Sequence, residues 1–289
     1  MQASTFQQNT IAMVYDFDGT LSPKSMQDYT LLPELGIPET EFWAEVQNEV
    51  AASGADPMLV YMRLLLEKAR QKNIQIRRSD YRRLAQRIEY FPGVEQWFDR
   101  VSHYVRQRSK DVRLKHYIVS AGMREILDGV SLRDHFARIY ASEYHFNDAG
   151  VADFPNRVIT DTGKTQYLFR INKGKEDTGQ SINEHMDEDA RPIPFSNLIY
   201  IGDGMTDVPS MALTRRQGGH AIAVYRQGHE DGENTCRTLL TAGRVDFIAE
   251  ADYRSESKLF HRACLLLNAI IAKIDYQREL FYCRQEQDY

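Results

Sequence analysis

Short apolar runs alternate with longer amphipathic stretches through most of this chain, and the two rhythms predict different elements. Runs of six or seven residues at 11–17 (IAMVYDF), 114–120 (LKHYIVS), 137–143 (ARIYASE), 197–203 (NLIYIGD), 220–225 (HAIAVY) and 245–250 (VDFIAE) predict β-strands. Most are continuously apolar rather than alternating, the pattern of strands covered on both faces, so a parallel sheet is expected. Between them, apolar positions recur at helical spacing, as in EQWFDRVSHYVRQ (95–107), which follows the breaker pair of FPGV at 91–94. The stretch KLFHRACLLLNAIIAKIDYQRELFY, from Lys258, keeps the helical spacing and is expected to pack on the sheet. The pattern leaves open whether it also joins copies of the chain.

The interval between the first two strands is too long for one crossover. Residues 24–90 hold three helical patterns, ETEFWAEVQNEVAAS, DPMLVYMRLLLEKARQ and SDYRRLAQRIEY, and no strand. They read as a small helical domain inserted after strand one, leaving 1–23 and 91–289 as the core domain. The expected fold class is therefore α/β, a Rossmann-like parallel sheet with helices on both faces plus a small inserted α-helical cap domain. EYHFNDAGVADF (143–154) has two aromatic-containing arms around Asn-Asp-Ala-Gly and predicts a hairpin. The polar, acidic stretch at 175–194 predicts a mobile loop.

Composition narrows the class. With 289 residues and 42% hydrophobic residues the chain can build a sizeable core, and its net charge of -5 offers no global basic field for nucleic acid or an anionic membrane. The local basic patch QIRRSDYRR (75–83) reads as a solvated helical face. Cys236, Cys264 and Cys283 are odd in number and lack CxxC spacing, which argues against a disulfide framework or a zinc site. The N-terminal MQASTFQQNT has no basic n-region, and the longest later apolar run (264–274) contains Asn268 and Lys273 and reaches only about half a membrane span. A soluble, cytoplasmic protein in a reducing setting is expected.

In open parallel sheets ligands bind beyond the carboxyl ends of the strands. There the sequence places Asp16-Phe17-Asp18-Gly19-Thr20, Ser120-Ala121-Gly122 and Gly202-Asp203-Gly204-Met205-Thr206-Asp207, with Lys164 near the start of a predicted helix. DFDGT, YIVSAG, Lys164 and IGDGMTD, taken in this order, resemble the four motifs of the haloacid dehalogenase superfamily of phosphotransferases. The resemblance covers about 16 to 250, apart from the helical insertion and the acidic loop. The insertion after the first motif, the FPGV return and the HFNDAGV hairpin make the chain similar to the phosphoserine phosphatase branch, with its C1-type helical cap. That branch usually has Ser after the second aspartate, whereas Gly19-Thr20 stands here, a departure that argues against carrying phosphoserine over as the substrate.

The residues support the same chemistry on their own terms. A carboxylate nucleophile divides slow phosphomonoester hydrolysis into formation and hydrolysis of an aspartyl phosphate, and Asp16 is the natural nucleophile. Asp18 emerges on the same side and can protonate the leaving alcohol, then take a proton from water. Mg²⁺ would hold Asp16 ionised while Asp18 keeps a proton, which relieves the repulsion between them. Asp16 and Asp203 offer carboxylate oxygens to the metal. The resemblance adds the backbone carbonyl of Asp18 and gives Asp207 a part in the metal site or in fixing Lys164; Asp207 alone is also explained as a first-turn helix acid. Thr20, Ser120, Ala121 and Gly122 are candidate phosphoryl ligands, Ser120 also having a reading as a helix N-cap. Lys164 opposes the helix dipole, which points to an anion it neutralises; Lys173 and Lys175 are rivals whose other reading is a solvated helix end. His135, His145, His220 and His229 lack metal spacing.

These features predict a Mg²⁺-dependent phosphatase acting on a small phosphorylated metabolite, with no nucleic-acid or membrane partner. The alternatives are a phosphotransferase or mutase using the same phosphoenzyme, or a catalytically silent binding protein of the same fold. Substrate identity, oligomeric state and any specific partner are not encoded legibly.

Overall fold

The computed structural model describes residues 5–286. Seven strands form one sheet: β1 (Thr10–Tyr15), β2 (Arg113–Met123), β3 (Phe136–Phe146), β4 (Ala152–Arg157), β5 (Leu198–Gly202), β6 (His220–Tyr225) and β7 (Phe247–Glu250). Their order is β4-β3-β2-β1-β5-β6-β7, and every neighbouring pair is parallel except β3 and β4. The parallel expectation thus holds for six strands. The expected hairpin supplies the antiparallel edge, because β3 runs on through Phe146 instead of ending near Glu143 and turns directly into β4.

The helices are α1 (Met26–Tyr29), α2 (Leu31–Glu34), α3 (Glu39–Ser53), α4 (Pro57–Gln71), α5 (Arg78–Ala85), α6 (Val94–Arg108), α7 (Arg124–Leu127), α8 (Lys164–Lys173), α9 (Val208–Arg216), α10 (Glu230–Thr241) and α11 (Lys258–Glu286). Two buried clusters show how they cover the sheet. Ile11, Met13 and Tyr15 of β1 join residues of α6 and α11 on one face, while Ala12 and Val14 join residues of α8, α9 and α10 on the other. This period-two partition explains the continuous apolar runs, since neither face of β1 meets water.

All of α1 to α5 lies between β1 and α6, as the interval 24–90 predicts. Asp56 caps α4 by accepting from the N–H groups of Met58 and Leu59, with Pro57 at the first turn. Phe42, Val46, Tyr61 and Leu65 of α3 and α4 belong to the same apolar cluster as Ile11 and Trp97, so the helical block and the sheet share one continuous core on that face. Beneath β1 runs a buried polar chain. Trp97 Nε1–H donates to Tyr15 Oη (2.9 Å), which lies 3.0 Å from His116 Nδ1, and Ser102 Oγ lies 3.3 Å from Nε2.

The stretch 175–194 contains no strand and one 3₁₀ turn, Glu188–Ala190. It is nevertheless pinned, a difference from the expected mobile loop. The buried Arg170 guanidinium donates to the carbonyls of Lys175, Asp177, Thr178 and Gln180, and Lys173 donates to those of Ile182 and Glu184. The two rival lysines serve this loop as well, Lys175 pairing with Glu184. Along α11, buried side chains recur from Leu259 to Ile274, where the helix covers α6 and β7. Among the described residues no helix is long and apolar enough to cross a membrane.

Candidate active site

Asp16 follows β1 directly, and its N–H continues the ladder by donating to Ile201 O (3.0 Å). The chain then folds sharply: the N–H groups of Thr20, Leu21 and Ser22 all donate to Phe17 O. Gly19 occupies the left-handed region at φ +74, and a Cβ there would stand 2.1 Å from Asp203 Oδ2. Gly suits this position: a side chain at 19 would collide with Asp203, which follows β5.

That turn brings the expected acids together. One carboxylate oxygen of each of Asp16, Asp203 and Asp207 lies within 4.8 Å of the others. Lys164, the first residue of α8, is fully buried, its Nζ 3.0 Å from Asp16 Oδ2 and 2.8 Å from Asp207 Oδ1. Burial alone would lower the Lys164 pKa, but the two carboxylates outweigh it and raise it, so the ammonium is retained. Burial pushes the Asp16 carboxyl up to about 6 against the pull of Lys164. Asp203 is raised by burial and by the charges of Asp207 and Asp16.

Asp207 stands at the N-cap of α9, but it is no solvated first-turn acid. It is fully buried; Oδ1 accepts from Lys164 and from Tyr200 Oη (2.7 Å), and Oδ2 accepts from the N–H of Asp203 (3.2 Å). Gly202 is required beside it, since a Cβ there would lie 2.2 Å from Asp207 Oδ2. Thr20 Oγ1 points to Asp203 Oδ1 at 3.5 Å.

Asp18 accepts the N–H of Met26 on Oδ1 (2.8 Å), which leaves Oδ2 to carry a proton. Burial and the neighbouring Asp16 carboxylate raise its pKa well above the usual range.

Ser120, Ala121 and Gly122 lie where expected in the chain, yet their local structure differs from a strand end followed by a helix N-terminus. Strand β2 continues irregularly through Met123, and α7 is a four-residue turn. Ser120 Oγ accepts from Gly122 N–H (3.0 Å), while Ala121 O accepts from Ser142 Oγ and from Tyr61 Oη. Met26 packs its methyl group where a Gly122 Cβ would be, and its sulfur accepts from Met123 N–H (3.1 Å).

Sequence reasoning missed Tyr200. The one available signal was a tyrosine inside a fully buried strand, whose hydroxyl must find a partner. The four inspected histidines stay outside the acid cluster: His135 stacks on Phe98, His145 pairs with Asp153, His220 with Asp246, and His229 caps α10. All three cysteines are free.

The donor set suits a hard divalent cation, since Asp16, Asp203 and Asp207 offer only oxygen. Asp16 Oδ1 is buried with no hydrogen-bond partner, an arrangement that costs free energy unless a ligand completes it.

Comparison with known proteins agrees with this architecture. A "Phospho-Aspartyl Intermediate Analogue of Phosphoserine phosphatase" structure aligns with TM-score 0.54 at 15% identity, covering 83% of this chain and 93% of that one. A probable phosphoserine phosphatase from Vibrio cholerae aligns with TM-score 0.57 at 12% identity, covering 96% and 69%. In sequence, a Borreliella burgdorferi protein described as uncharacterized is 27% identical over 278 residues, 88% of this chain and 95% of that one. The family model for haloacid dehalogenase-like hydrolase matches residues 13–212, from β1 to within α9, and so takes in both acidic turns, the Ser120-Ala121-Gly122 turn and Lys164. The chain belongs to the haloacid dehalogenase-like hydrolases.

Proposed function

We propose that the protein is a Mg²⁺-dependent phosphatase that hydrolyses a small phosphomonoester through an aspartyl phosphate on Asp16. The observation that carries this reading is the environment of Asp16, a buried carboxylate with one oxygen on Lys164 and the other unpartnered. Asp16 and Asp203 would hold the cation, joined by the carbonyl of Asp18. Bound there, Mg²⁺ supplies charge that keeps Asp16 ionised and offsets the phosphoryl oxygens.

The residues of the chain divide the remaining work. An Asp16 oxygen forms a bond to phosphorus as the bond from phosphorus to the substrate's alcohol oxygen breaks. Asp18, its Oδ1 fixed by Met26 N–H, gives the proton on Oδ2 to the leaving oxygen. It then takes a proton from the water that attacks the acyl phosphate, releasing inorganic phosphate and regenerating Asp16. Lys164 offsets negative charge throughout, and Asp207 holds Lys164. Ser120 and the Ala121-Gly122 turn, with Thr20, seat the phosphoryl oxygens once substrate displaces their internal hydrogen bonds.

Residues 24–90 act as the cap domain, and two contacts support this. The block reaches the general acid through Met26 N–H and the phosphoryl turn through Tyr61 Oη, so its placement is tied to both catalytic segments. A lid so close to the acid favours small metabolites over folded phosphoproteins.

The test is phosphate release from a panel of small phosphomonoesters, with and without Mg²⁺, using wild type and Asp16→Asn. Metal-dependent release that the substitution abolishes is expected, with the variant's fold intact. Turnover by Asp16→Asn near the wild-type rate would refute the nucleophile assignment.

A further inference from the structure

Tyr200 lies on β5, two residues before Gly202, so that its side chain shares the face on which Gly202 makes room for Asp207. It is completely buried, in the same apolar cluster as Tyr167 and Leu168 of α8 and Met211 of α9. These helices carry Lys164 and Asp207 at their amino ends. The hydroxyl therefore sits where the strand and both helix starts meet, and it donates to Asp207 Oδ1 at 2.7 Å. The same oxygen accepts from Lys164 at 2.8 Å.

We propose that Tyr200 is a positioning residue of the reaction: its hydroxyl fixes the Asp207 carboxylate so that Lys164 is shared between Asp207 and Asp16. This rests on the phosphatase reading above. The argument follows from counting donors. Three donors from two segments, Lys164 Nζ of α8 and, from β5 and its end, Tyr200 Oη and Asp203 N–H, hold one carboxylate, and together they define its orientation. Without the hydroxyl, Oδ1 has only the ammonium, and the carboxylate is free to turn toward Lys164 with both oxygens. That turn draws Lys164 from Asp16, 3.0 Å away on its other side, and releases the Asp203 N–H. Tyr200 touches neither phosphoryl group nor metal in this scheme; it acts through Asp207. Burial and the adjacent carboxylates raise its own pKa, which keeps the hydroxyl a donor.

The experiment compares Tyr200→Phe with Tyr117→Phe. Tyr117 is a buried tyrosine of the same apolar cluster whose hydroxyl donates to Glu176, remote from the acids, so it reports the cost of losing a tyrosine hydroxyl as such. At saturating Mg²⁺, Tyr200→Phe should lower kcat by about 10- to 100-fold with KM changed less than about threefold, the size expected for losing a hydrogen bond to a charged group. Hydrogen exchange at the Asp203 amide should quicken on the order of tenfold while exchange in β1 stays at the wild-type rate. Tyr117→Phe should change neither kcat nor Asp203 exchange. Wild-type kcat in Tyr200→Phe, or losses in the two variants that match, would overturn the assignment. So would unchanged Asp203 exchange, since Asp207 would then be held without the hydroxyl. Absence of metal-dependent phosphate release from wild type would instead bring down the phosphatase reading, and the reaction role of Tyr200 with it. The exchange result would still decide whether the hydroxyl holds Asp207.

Discussion

Replacing Glu125 by Gln should make stability less sensitive to pH, and the structure sets the size of the effect. Glu125 of α7 is 2% exposed; Oε1 accepts the N–H of Tyr144 (2.9 Å), and Oε2 is buried without a partner, as is the hydroxyl of nearby Tyr81 from α5. Burial pushes its pKa from 4.5 up to about 7. A carboxyl raised on folding binds its proton more tightly in the native state, so folding is favoured below the unfolded pKa and penalised as pH climbs between the two values. The penalty is about 1 kcal/mol at pH 5, about 2 at pH 6 and about 3 at pH 8, where it is nearly complete. Gln keeps the acceptor for Tyr144 N–H, has almost the same volume and never ionises. Urea unfolding of wild type and Glu125→Gln at pH 5, 6, 7 and 8 isolates the residue, because every other titrating group cancels in the difference. The variant should gain about 2 to 3 kcal/mol on wild type between pH 5 and 8, with equal m-values. A difference that stays flat across this range would refute the reasoning.

Gly19→Ala should strain the first acidic turn twice, through a left-handed backbone costing about 1–2 kcal/mol and through a methyl group 2.1 Å from Asp203 Oδ2. The expected results are a lowered Tm and at least about a tenfold higher Mg²⁺ concentration for half-maximal activity; an unchanged metal requirement would count against Asp203 as a ligand. His116 is driven by burial down to about 3, so its imidazole should remain neutral in the folded protein well below pH 6.5. Proton binding then favours the unfolded chain as pH falls from 6.5 toward 3, a loss of up to about 5 kcal/mol. Following the His116 ring resonances by NMR, a midpoint near 6 would contradict this environment.

The parts of the fold that could be read in advance are those in which residue type and environment correspond one to one. Strand β1 is apolar from Ile11 onward because both of its faces are covered, and two carboxylates at the end of such a run have no structural explanation. Asp16, Asp18, Asp203 and Lys164 were therefore visible as a constellation before their distances were known. Other features depend on groups that carry no residue identity. Arg170 organises the acidic loop through main-chain carbonyls, which every residue possesses, so polarity at 175–194 pointed to mobility and missed the anchor. Tyr200 looks like any core tyrosine in NLIYIGD, and only the packing of α8 and α9 against β5 reveals what its hydroxyl meets. At Ser120 the local signal for a helix start competed with the continuation of β2 beside β3, and the sheet prevailed through Met123.

The position of β1 also shapes how the molecule assembles. The strand pairs with β2, about a hundred residues later in the chain, and with β5, whose last residue is Gly202. Loop-closure entropy grows only logarithmically, so these separations cost little at equilibrium, each doubling adding about 0.6 kcal/mol. Their effect is on timing. At ribosomal rates of about 5–20 residues per second, the largely apolar TIAMVY segment waits roughly 10 to 40 s for β5 to be synthesised. Until then at least one of its edges is unpaired, and such an edge is prone to associate with another chain. The same delay governs the acids, because Asp16 meets Asp203 only when β5 docks. A nascent chain thus lacks this acid cluster, and the cation proposed for it could stabilise the sheet only after its centre has closed.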